Sequence, residues 1–245
     1  MRNSDNEEFY IGYAVRPPRR IASTVFRAVV GLNALAAAIA LVLLFAQHPF
    51  ARSTFEFQQY REFAGELELK PYPALLVGRP GGKEYSRYLL AAAGKHGADA
   101  EVRAFAGNAV RLRGSLIYRD GHTMVELVPG SIQAVKEAPA AVSGATLGEV
   151  ALTGEIVDSK CYLGVMNPGR TKVHRDCAAR CISGGIPPAF VTADGFYLLV
   201  GGDGRPVQHE VLDWVGETIE VTGTVQRSGE TLILRAEPSS FRRIR

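Results

Sequence analysis

A chain of 245 residues with 28 Lys plus Arg against 25 Asp plus Glu has almost no net field, so it offers no general basic surface for nucleic acid. Its roughly half-apolar, one-fifth-charged composition is that of a folded protein and excludes a disordered tail. Three cysteines are too few for a disulfide scaffold and odd in number, so at least one thiol has another role.

The first predicted element runs from Ala28 to Ala46, AVVGLNALAAAIALVLLFA, with no charge and Asn33 as its one strongly polar side chain. At 1.5 Å per residue it is about 28 Å long, enough to cross a bilayer core. A buried core helix would carry polar residues at helical spacing, and the run exceeds the apolar stretch of an ordinary signal peptide, so an uncleaved anchor is expected. The preceding RPPRR at 16–20 and Arg27 place the N-terminus in the cytoplasm by the positive-inside tendency. The expected location is a bacterial inner membrane, crossed once, with everything after the helix in the periplasm, where unprotected thiols are oxidised.

The remainder reads as a duplicated β domain. FAGNAVRLRGSLIYRDGHTMVELVPGSI from Phe105 overlays WVGETIEVTGTVQRSGETLILRAEPSSF from Trp214, with Gly107 on Gly216, Gly114 on Gly223 and, after a one-residue gap, Gly121 on Gly229. Each copy alternates, turns at RDG or RSG, and alternates again, a hairpin signature. Upstream, FAGEL at 63–67 resembles LTGEI at 152–156, PALLV at 73–77 resembles PAFVT at 188–192, and YLL recurs at 88–90 and 197–199. With short helices at 98–105 and 208–215, each copy has five strands and a helix between the third and fourth, the order of an OB-fold barrel. The predicted fold is therefore mainly β: an N-terminal single transmembrane helix followed by two tandem OB-like five-stranded barrels. Its parts are a cytoplasmic segment 1–24, the membrane helix 25–47, a first barrel 53–137 and a second 146–245. KEAPAAVSGA at 136–145 reads as the linker and GRPGG at 78–82 as a hairpin connection.

The copies differ at one place. Between the shared Gly-Glu and Pro-Ala, the second copy is about twenty-five residues longer, an insertion over 157–187 that holds every cysteine of the chain. The first copy closes without it, which points to function and not to packing. His174, Cys177 and Cys181 are three and four residues apart, so a helix puts them on one face, with Thr171 as its cap and Gly184 and Gly185 as its stop. Cys161 folds back over that face through the turn at 167–169, giving the ligand set of a Cys₃His metal site. The bound group is zinc, copper or an iron-sulfur unit, and Asp158 or Asp176 is near enough to orient the imidazole. Two other readings stay open: a disulfide from Cys161 to Cys177 or Cys181 stapling the loop of a structural assembly factor, and a Cys177/Cys181 dithiol for thiol-disulfide exchange or copper handling. His96 and His122, in the cysteine-free copy, read as ordinary histidines. No nucleophile elbow, Ser-His-Asp order or paired carboxylates occur.

GEIVDSKCYLGVMNPGRTKVHRDCAARCISGGIPPAFV, with KPYPALLV and GKHGADA in the first half, resembles a motif of uncharacterised bacterial membrane-anchored or exported proteins. The resemblance implies that Cys161, His174, Cys177 and Cys181 are shared features, and it implies no reaction. The expectation is a non-catalytic accessory protein, held in the membrane and partnered with a membrane respiratory or electron-transfer complex.

Overall fold

The computed structural model describes residues 17–47, 52–79, 85–135 and 144–244, so most of the N-terminal segment, residues 136–143 of the expected linker and residues 80–82 of the GRPGG connection lie outside the described residues, while the linker's last two residues already belong to a strand. The chain divides into two compact units, Met1–Pro49 and Phe50–Arg245. In the first, helix α1 spans Arg19–Ala46 and buries no residue. Its polar groups bond along the helix itself: Asn33 Nδ2 donates to Val29 O at 2.8 Å and Arg27 Nε to Ser23 O at 3.2 Å. An uncovered helix with a mean hydropathy of 2.5 over its best 18 residues is long and apolar enough to cross a membrane. It starts at Arg19 and not at residue 25, because hydropathy marks the bilayer core whereas Pro18, which cannot donate to a preceding turn, marks where the helix begins.

In the second unit, strands β1 (Ser53–Glu68), β2 (Ala74–Gly78), β3 (Tyr85–Ala91), β4 (Ala109–Arg119) and β5 (His122–Leu127) form one circuit. Its order is β1-β2-β3-β5-β4, and β4 pairs back onto β1, closing a barrel in which only β3 and β5 run parallel. A short helix α2 (Asp99–Val102), continued by a 3₁₀ turn to Phe105, sits between β3 and β4. Strand β6 (Gln133–Val135) is added outside β4. The circuit then repeats with β7 (Gly144–Asp158), β8 (Pro188–Val191), β9 (Phe196–Val200), β10 (Thr218–Ser228) and β11 (Thr231–Arg235), again with one parallel pair, β9 on β11. A 3₁₀ helix, His209–Trp214, replaces α2, and β12 (Arg242–Arg243) replaces β6. These are two closed five-stranded barrels with the OB order.

The glycines that match between the copies do the same mechanical work in each. A Cβ on Gly65 would stand 2.2 Å from Leu76 O, and one on Gly154 would stand 2.3 Å from Val191 O. Gly114 and Gly223 are likewise pressed on Glu126 O and Arg235 O, at 2.5 and 2.3 Å. Each pair lets two strands cross more closely than a side chain permits, which closes a small barrel.

Each barrel has its own core, Leu67, Leu75, Leu90, Leu112 and Val125 in the first and Ile156, Phe190, Leu199, Val221 and Leu234 in the second. A third core belongs to both. Ala74, Leu89, Ile117 and Met124 of the first barrel pack with Leu163, Ile186, Ala189, Leu198 and Ile233 of the second. This is why ALLV in β2 reads as a continuous apolar run: one face lines its barrel and the other is covered by the second. The barrels are fused through this layer within a single unit.

Tyr72 pins the junction. Its buried hydroxyl donates to Leu199 O at 2.8 Å and accepts from Val207 N at 3.0 Å, and burial pushes its pKa well up, so it stays protonated. Tyr72→Phe keeps the ring and orphans the Val207 N–H. The expected loss is about 1 to 3 kcal/mol in urea unfolding of the full chain.

Candidate metal centre

The insertion leaves β7 at Asp158 and turns at once into a tight helical turn, Cys161–Val165. The chain then folds back as expected, and Gly169, with φ of 65°, passes so close to Cys161 that a Cβ would sit 2.6 Å from its carbonyl oxygen. Helix α3 (Arg175–Ser183) follows a 3₁₀ turn, Lys172–His174. Thr171 makes no side-chain cap here; its carbonyl accepts from His174 N at 3.0 Å, and His174 itself heads α3. The C-terminal stop is as the sequence suggested. Gly185 takes φ of 97°, while Gly184 N and Ile186 N close on Arg180, Cys181 and their carbonyls.

All three cysteines are free, with Cys161 and Cys181 buried and Cys177 half-buried. Their sulfurs lie within 4.8 Å of one another. Sulfurs bound to one ion at about 2.3 Å stand roughly 3.8 to 4.0 Å apart, so the set needs little contraction to hold a thiophilic ion. The neighbouring Cys181 sulfur, burial and the charge of Asp158 push the Cys161 thiol up, while the Cys161 thiol and the positive Lys95 draw Cys181 down.

His174 does not join the three sulfurs as a single group. It forms a second set with Asp158 and Cys161, all three buried and their ligand atoms again within 4.8 Å. Asp158, fully buried, places Oδ2 3.1 Å from His174 Nε2 and accepts from Cys161 N at 2.8 Å through Oδ1. The four residues named from sequence therefore fall into two overlapping sets that share Cys161. Asp158 contacts the imidazole, whereas Asp176 is exposed in the first turn of α3.

Two lysines complete the site, and sequence reading had named neither. Lys95, from the loop between β3 and α2, donates from Nζ to Cys177 Sγ at 2.7 Å and approaches Cys181 Sγ at 3.9 Å; the bond to Cys177 raises its pKa and keeps it charged. Glycines bring it there. A Cβ on Gly184 would meet Lys95 O at 1.9 Å, one on Gly97 would meet Gly185 O at 2.2 Å, and Gly97 N donates to Gly184 O at 2.9 Å. The end of α3 thus lies directly on the loop of the other barrel. Lys160, next to Cys161 and 2 % exposed, reaches the same loop, donating to Ala92 O and Gly94 O at 2.7 Å each and pairing with Glu126 Oε2 at 2.5 Å. Tyr162 seals the other side, stacked on Phe196 and lying under the Arg119 guanidinium at 4.1 Å.

The Cys₃ set and the Asp/Cys/His set are both arrangements that could hold a metal ion; all five residues belong to the second barrel, and Lys95 of the first rests against Cys177. No family model, curated protein or solved structure matches the chain.

Proposed function

We propose that this is a membrane-anchored accessory protein that faces the periplasm, holds a thiophilic metal centre on its second barrel, and serves a membrane respiratory or electron-transfer complex. One observation carries the reading: three unpaired sulfurs, brought from two separate segments, meet beside a buried Asp-His pair. The first barrel closes without an insertion, so barrel closure does not require these thiols, and Cys161 and Cys181 also pack into the layer shared by the two barrels. Metal ligation explains how three thiols persist where free ones are oxidised. The helix α1 supports the anchored part of the reading.

The experiment is elemental analysis of the full-length protein purified anaerobically in detergent. Zinc, copper or iron at one or more equivalents per chain is expected. Metal-free protein that takes up none of these ions under anaerobic loading, with Cys161 in a disulfide by mass spectrometry, ends the proposal. The half-buried position of Cys177 beside buried Cys181 favours a second reading, thiol-disulfide exchange by that pair. It requires a reversible Cys177–Cys181 disulfide in a redox titration, without metal.

A further inference from the structure

The two ligand sets overlap at a single atom, and that overlap has chemical meaning. We infer that the centre is dinuclear, with the Cys161 thiolate bridging one ion held by Cys177 and Cys181 and a second ion held by Asp158 and His174. The inference rests on the metal-binding reading and deepens it: the ligand is a pair of borderline-soft divalent cations and not one.

Geometry speaks first. A single four-ligand ion needs the imidazole turned toward all three sulfurs, but Nε2 of His174 faces Asp158 Oδ2, and only Cys161 among the cysteines shares their group. Two light-atom ligands on one ion at about 2.0 to 2.1 Å stand roughly 2.9 to 3.4 Å apart, so the observed 3.1 Å suits a common ion between Nε2 and Oδ2. Oδ1 is already engaged by Cys161 N at 2.8 Å, which leaves Oδ2 as the single donor and fixes the carboxylate's direction. Cys161 lies within 4.8 Å of both partner pairs, and a thiolate has lone pairs for two ions.

Charge speaks second. With their thiols deprotonated as metal ligands, the three cysteines and the carboxylate would carry four negative charges, and Asp158, Cys161 and Cys181 are all buried. One divalent ion leaves two of them uncovered and Lys95 answers one. Lys160 is spent on Glu126 and on the carbonyls of Ala92 and Gly94. Buried charge without a partner is expensive, and two divalent ions cover all four anionic ligands. Each ion is then three-coordinate from protein: one through three sulfurs, the other through sulfur, nitrogen and oxygen. Mixed donors of this kind suit zinc, or cobalt as its spectroscopic substitute.

The test is anaerobic titration of the full-length protein in detergent with zinc(II), counted by elemental analysis after desalting, and with cobalt(II), read by its sulfur-to-cobalt charge-transfer absorption. Wild type is expected to saturate at two ions per chain. His174→Ala should hold one ion and keep the absorption of the three-sulfur site, and Cys177→Ser should hold one ion and lose most of it. His174→Gln, closer in volume, and thermal melts guard against a variant that fails to fold. Saturation of wild type at one ion overturns the dinuclear centre while sparing the metal reading. Two ions in both wild type and His174→Ala place the second ion elsewhere and overturn it equally. No ions at all overturn both readings.

Discussion

Cys161→Ser is expected to strip the protein of metal while leaving it folded. Cys161 is the only residue common to both ligand sets, and a serine hydroxyl of nearly the same size is a poor donor to a thiophilic ion. Removing a hydrogen-bond partner outside a ligand shell typically costs about 10- to 100-fold in affinity; removing the shared ligand should cost well beyond that. Cys161 is itself part of the core with Leu163, Ile186 and Ala189, so the near-isosteric serine should cost about 1 to 3 kcal/mol for its buried hydroxyl and leave the fold in place. The clearest readout is linkage. Metal at about a thousand times its dissociation constant stabilises the folded wild type by about 4 kcal/mol, or roughly 8 to 16 °C in Tm for a body of this size. The serine variant should show no such shift. A variant that still binds metal and still gains the shift would show that Cys161 is only packed near the site.

The sequence announced the architecture because duplication wrote it twice. Gly65 with Gly154 and Gly114 with Gly223 are strand crossings that admit no side chain, so each barrel keeps its glycines at the same places in the chain. The thiols were legible for the opposite reason, since they occur in one copy only. Helical phase also held the answer to which aspartate matters. Asp176 is two residues past His174 and so points away from the face of Cys177 and Cys181, whereas Asp158 closes β7 beneath it. The sequence was silent on how the barrels dock. Lys95 is 82 residues from Cys177, and a lysine in GKHGADA reads as a solvated turn until the other barrel's glycines are seen to rest on it. Lys160 hid in the same way, beside a cysteine in sequence and inside a neighbouring barrel in space.

Lys160→Met carries the largest expected structural cost. The side chain is among the largest fully buried ones, and its ammonium has three partners, all in the first barrel: Ala92 O, Gly94 O and Glu126. Methionine fills much the same volume, so the loss is electrostatic. It leaves Glu126 charged and mostly buried with its partner gone, and it leaves two carbonyls without that donor. Breaking a buried pair from one side costs about 3 to 5 kcal/mol, and the residual exposure of the Glu126 carboxylate puts the expectation near the lower end, about 3 kcal/mol. Adding Glu126→Gln should recover part of this, because removing both charges is cheaper than stranding one. The loop held by those carbonyls is the one that delivers Lys95 to Cys177, so metal affinity should fall together with stability. Denaturant unfolding of the single and double variants, with zinc titration of each, separates the two effects. A single variant within about 1 kcal/mol of wild type would show that Lys160 does not latch the barrels. Lost stability with unchanged metal affinity would show that the latch and the thiol site are independent.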